Sequence, residues 1–238
     1  MSMSDLDRYF GNYREVLGQV IREGQYPATT VDLMRIRTRE AQLVYPSGLP
    51  MALSSGTDSY KLWHYWFFTG DNMLKLGRNV KLISSSRKLH ESIVTEGLGI
   101  NLEEMYQWVD GVEMQFDDFV NRIDRLNGKL TELRGRLSYT PSRSWVEGSY
   151  TNEQDVIIDE ELLRPLFSMA GNGQNPSREY VKSVFKLRGE KGFIPYEFVH
   201  MRERNDGVYV MTLTGLDDSA GIWILNANSG SKSNIFPL

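Results

Sequence analysis

Residues 116–137 read FDDFVNRIDRLNGKLTELRGRL. Phe116, Phe119, Ile123, Leu126, Leu130, Leu133 and Leu137 follow one another at alternating spacings of three and four. That is a 3.5-residue repeat, whereas a straight helix repeats every 3.6 residues. A stripe held on the shorter period drifts around a lone helix unless that helix supercoils against others. Extending the register backwards adds Leu102, Met105, Val109 and Val112. Leu102, Val109, Phe116, Ile123, Leu130 and Leu137 then occupy a, and Met105, Val112, Phe119, Leu126 and Leu133 occupy d. The pattern predicts a single helix over 99–138, with a stripe about 54 Å long at 1.5 Å per residue. Asn101 offers an N-cap, followed by Glu103 and Glu104. Gly111, Gly128 and Gly135 fall at c or f, away from the seam, and each weakens a helix by roughly 1 kcal/mol.

Two arrangements satisfy such a stripe: a coiled coil between chains, or a long core helix inside one domain. The coiled coil is the first expectation, with these eleven apolar residues as the oligomerisation seam. Phe at both a and d is bulky for two strands, and Tyr106, Trp108 and Val120 widen the apolar face at e and g. Both features favour three or more helices, and a parallel homotrimer is the first expectation. Arg122-Ile123-x-x-Leu126-Asn127 matches the trimerisation pattern Arg-apolar-x-x-apolar-Glu except at its last residue. An antiparallel bundle is the alternative. Six acidic and no basic residues lie between Glu103 and Asp118, whereas five basic and two acidic lie between Arg122 and Arg136. The macrodipole of any helix suits the same distribution.

Around the stripe the sequence predicts an α+β chain. Residues 1–25 read as an N-terminal helix, with Ser4 as N-cap, Leu6, Phe10, Tyr13, Leu17 and Val20 as its stripe, and Gly24 as its stop. Residues 26–98 read as a small β-rich domain centred on Trp63, Trp66, Phe67 and Phe68, with Asp58, Asp71 and Asn72 as turn residues. Residues 99–138 are the coiled-coil helix. Residues 139–238 read as a mixed α/β head that closes with strands and a polar Ser/Gly tail. Within DGVYVMTLTG, Val208, Val210 and Thr212 face opposite to Tyr209, Met211 and Leu213, so both faces of that strand are apolar.

Signals for chemistry are sparse. With no cysteine, disulfides, thiolate catalysis and Cys-ligated metals are excluded. His64, His90 and His200 are far apart and form no spaced metal pair, and His64 inside LWHYWFF reads as a core or stacking residue. Ser85-x-x-Lys88 lacks every companion element of a serine acyl-enzyme site. Asp155, Asp159, Glu160 and Glu161 read as a solvated helix start; the other readings are a carboxylate pair for glycoside hydrolysis or for binding a hard cation. Trp145, Tyr150, Tyr196, Tyr209 and Trp223 are core residues or a sugar- or protein-binding surface. No catalytic, cofactor-binding or metal residue is predicted. The net charge of −4 gives no attraction to nucleic acid or anionic lipid. Residues 62–68 are too few to span a bilayer, and the acidic start is no signal peptide, so synthesis in the cytosol is expected.

A cysteine-free chain with a multimerising helix at 102–137 between two flanking regions resembles a virion structural protein of a tailed bacteriophage, of the trimeric fibre, baseplate or neck type. The resemblance is architectural. It implies location in the virion, attachment to other virion proteins by one end, and a second end facing a neighbour or a host-surface glycan or protein. The rival classes are a glycan-degrading hydrolase and an intracellular coiled-coil adaptor.

Overall fold

Helices cover both faces of one mixed sheet. The computed structural model describes residues 7–44, 57–97, 101–125, 180, 183, 184, 199–201, 204–218 and 220–238. In chain order the elements are β1 (Phe10–Asn12), α1 (Tyr13–Arg22), α2 (Thr30–Val44), α3 (Asp58–His64), β2 (Phe67–Leu76), β3 (Asn79–Ser84), α4 (Arg87–Glu96), α5 (Leu102–Trp108), β4 (Val112–Gln115), β5 (Val199–Met201), β6 (Gly207–Leu213), β7 (Ile222–Asn226) and β8 (Lys232–Ile235). A further helical segment runs from 116 to 125.

The sheet runs in the order β1-β8-β2-β6-β7-β5, with β3 also on β2 and β4 on β3. The expected regions 1–25, 26–98 and 139–238 therefore all contribute strands to it. The expected alternation holds in β6. Tyr209, Met211 and Leu213 join α2 and α3 in one core, while Val208 and Val210 join α1, α4 and α5 in the other. The aromatic run at 63–68 straddles the sheet in the same way: Trp63 and Phe67 lie in the first core, Phe68 and Trp66 in the second.

Several elements differ from expectation. The first helix begins at Tyr13. Asn12 is extended, its side chain accepts the Glu15 N–H at 3.1 Å, and the residues from Phe10 pair with β8. The stretch at 30–44, rich in β-branched residues, is a helix. Thr29 and Asp32 cap it reciprocally: Asp32 N–H donates to Thr29 Oγ1 and Thr29 N–H to Asp32 Oδ2, both at 3.1 Å. Its buried positions are Thr30, Val31, Leu33, Met34, Arg37, Thr38 and Ala41, and the polar ones among them mask the helical stripe. Residues 87–96 are also helical, capped by Ser86. The polar tail forms β8, which pairs with β1 and with the start of β2.

The helix expected over 99–138 is interrupted. Asn101 caps it as expected, but α5 ends where Val109 turns extended, at φ −89° and ψ 130°. Residues 112–115 then pair antiparallel with β3. Gly111 is the reason the chain can pass so close, because a Cβ there would collide with Leu82 O and lie 2.9 Å from Lys81 Cγ. Leu102, Met105 and Val109 pack into the core with α1 and α4. Val112, Phe116, Phe119 and Ile123 pack into the core on the opposite face. Burial against two faces of this chain's own sheet thus outweighs the 3.5-residue period over 102–123. Leu126, Leu130, Leu133 and Leu137 lie outside the described residues.

Candidate functional site

Asp71 and Asn72 are not turn residues. They sit inside β2, 2% and 0% exposed, at a break in its pairing. β2 runs against β6 along most of its length, but the register shifts between Phe68 and Asn72. On its other edge the partner changes from β8, opposite Phe67 and Phe68, to β3, opposite Asp71 onwards. The sheet forks here, and Gly70 is the hinge point. Its N–H donates to Ala28 O at 2.8 Å, and its carbonyl accepts from Ser85 N–H at 3.0 Å. A Cβ on Gly70 would lie 2.7 Å from Pro27 O, so no other residue fits against the crossing chain.

Side chains satisfy the polar groups that the fork exposes. Asp71 Oδ2 accepts from Thr30 N–H at 2.7 Å, and Asp71 Oδ1 accepts from Ser84 Oγ at 2.6 Å. Thr30 Oγ1 donates to Thr69 Oγ1, which donates to Met211 O at 3.0 Å. Asn72 Nδ2 donates to Tyr13 OH at 3.1 Å and to Tyr209 O at 3.2 Å. His90 Nε2 lies 3.1 Å from both Gly70 O and Asn72 Oδ1. Burial pushes the Asp71 carboxyl up, against the pull of its bonds to Ser84 and Thr30. Burial likewise raises the Tyr13 hydroxyl, and it lowers the His90 imidazole to about 4. An acid, a base and a phenol thus meet in the interior. Their hydrogen bonds run to backbone and to the Ser84 and Asn72 side chains, which is the arrangement of a scaffold that fixes a bulge.

A second buried polar centre lies on the opposite face. Arg37 is 0% exposed. Its Nε donates to Leu62 O at 2.7 Å, Nη1 to Thr214 O at 2.7 Å and Tyr180 OH at 2.9 Å, and Nη2 to Tyr65 O at 2.8 Å. The rings of Trp63 and Phe67 flank the guanidinium, each at 5.6 Å, and Tyr180 stacks on Trp63. One side chain thereby fastens α2 to the end of α3, to the segment after β6 and to Tyr180.

Two further features lie nearer the surface. His64 stacks on Tyr60 at 4.0 Å, as a stacking histidine was expected to, and its Nδ1 lies 2.6 Å from Asp217 Oδ2. A groove of about 430 Å³ lined by Asn12, Arg14, Glu15, Gly18, Arg22 and Val94 runs beside α1 where it meets α4. Among the described residues no group of three or more His, Cys, Asp or Glu could hold a metal ion, and no helix is long and apolar enough to cross a membrane. Ser85 and Lys88 frame the cap of α4, where Ser86 Oγ accepts the Leu89 N–H. Tyr209 and Trp223 are buried core residues. Trp145, Tyr150, Tyr196, Asp155, Asp159, Glu160 and Glu161 lie outside the described residues. Compared with protein-family models, with curated proteins and with solved structures, the chain matches none.

The fork was hidden in the sequence because FTGDN reads as turn chemistry, and Asp and Asn are depleted in strands. What reverses that reading is tertiary: the crossing chain at Pro27 and Ala28 and the capped helix at Thr30 supply partners from forty residues away in sequence.

Proposed function

We propose that this chain is a non-enzymatic structural protein that self-associates through the heptad sequence 126–137, as a trimeric component of a phage virion of the fibre, baseplate or neck type. The observation that carries this reading is the root of that sequence in the body. Phe119 and Ile123 are 2% and 7% exposed, seated in the core of their own chain, and the apolar spacing then continues through Leu126, Leu130, Leu133 and Leu137. The upstream part of the stripe is occupied within the chain, so the seam between copies is confined to these last heptads. A coil that short is marginal alone. Association therefore depends on concentration and is completed by contacts with other virion proteins.

This distribution of roles separates two substitutions. Leu130→Asp combined with Leu133→Asp puts charge into the seam and is expected to lower the native mass while the thermal unfolding of the body is unchanged. Ile123→Asp is expected to unfold the body instead. A double variant that keeps the wild-type oligomeric mass would refute the assignment.

A further inference from the structure

The buried imidazole at the sheet fork has no role in assembly through 126–137, and its bonding is lopsided. We propose that His90 latches α4 to β2 only while its ring is neutral, so that uptake of one proton unlatches α4 and opens the fork.

The geometry fixes the tautomer. Asn72 Nδ2 points at Tyr209 O, which leaves Asn72 Oδ1 towards His90 as an acceptor. Gly70 O is also an acceptor, so Nε2 carries the hydrogen and donates to both. The other nitrogen, Nδ1, is buried with no hydrogen-bond partner among the described residues. In the neutral ring Nδ1 needs only to keep its lone pair. In the protonated ring it becomes a second N–H, buried and charged, with nothing to donate to among the described residues. His90 itself is 1% exposed, and its neighbours Leu89 and Ile93 are 0% exposed. Moving α4 relieves this cost, because the ring is carried on that helix.

The surrounding charges do not remove this cost. α1 presents Tyr13, Arg14, Glu15 and Arg22; β2 presents Asp71 and Lys75; α4 itself carries Arg87, Lys88, Glu91 and Glu96. Asp71 is the buried carboxyl, and its oxygens are engaged by Thr30 and Ser84. Lys75 is turned to Asp206, and Arg14 donates to Val94 O on α4 itself. Tyr13 stays neutral. Burial therefore dominates and holds the ring near 4, against the opposing pull of Gly70 O. A histidine lowered on folding is charged first in the unfolded or opened state. Stability is full above about pH 6.5, falls as pH drops from there towards 4, and levels off below.

The test uses His90→Gln in the full chain, because glutamine keeps a donor near the Nε2 position and cannot take the proton. Urea unfolding is followed from pH 7.5 to 4.5. The folding equilibrium constant of the wild type is expected to fall, relative to the variant, by up to about tenfold for each pH unit below 6.5. Parallel pH curves would overturn the proposal. Should the variant not fold, two measurements on the wild type decide. Nitrogen NMR of its three histidines is expected to show His90 as the neutral Nε2–H form at pH 5.5 in the native protein. An imidazolium there in an intact fold would overturn the latch. Amide exchange is expected to lose protection in 87–96 between pH 7 and pH 5 while β6 keeps its own, and equal protection of α4 at both values would also contradict it.

Discussion

Arg37 is a buried cation whose partners, among the described residues, are four oxygens and no carboxylate. Its charge is balanced by carbonyl and hydroxyl dipoles, and its forked donors reach two backbone segments and the Tyr180 hydroxyl at once. Arg37→Met would remove the desolvated charge but also every hydrogen bond that Arg37 gives to Leu62 O, Tyr65 O, Thr214 O and Tyr180 OH. The loss of these buried bonds outweighs the relief, so urea unfolding is expected to show a loss of about 3 kcal/mol. Arg37→Lys is expected to recover little, because an ammonium has no planar fork. An unchanged unfolding midpoint in Arg37→Met would contradict this role. Neither Arg37 nor Asp71 was legible as buried from sequence. Charged residues are inside only when partnered, and every partner here comes from another element.

Among the elements, the fate of the heptad stripe is the most instructive. The 3.5-residue period is real in the sequence, yet its early part is divided between a short helix, a strand and the start of a new helix. A chain that alternates apolar residues at three and four also offers alternation at two over a short stretch, as Val112 and Met114 do in β4. Gly111 decides between the two, since only a residue without Cβ passes Leu82. The sign of one substitution separates the folds. In a continuous helix Gly111→Ala would stabilise by up to about 1 kcal/mol. In the β3–β4 pairing it forces the strands apart and is expected to destabilise by about 2 kcal/mol. Thermal unfolding of the variant reads that sign, and a stabilised variant would restore the single helix. The helix at 30–44 was legible in principle through Thr29 and Asp32, a capping pair three residues apart. The inward-facing Thr30, Arg37 and Thr38 hid the period that would have confirmed it.

For the whole molecule, the sequence conveyed an α+β chain and the two-sided strand at 207–213, but not the pairing. Hydrophobic alternation says that a strand is buried, not which strand lies beside it. β2 collects one partner next to it in sequence and two from the C-terminal end of the chain, β3 and β6 antiparallel and β8 parallel. The body that results uses the early heptad positions for its own core and leaves the later ones as the proposed seam between copies. The measurement that tests this most directly is the native mass in solution, by light scattering at a low and a high protein concentration. The mass is expected to rise with concentration towards three times the 27.4 kDa chain. A mass that stays at that of one chain at the highest concentration would contradict it.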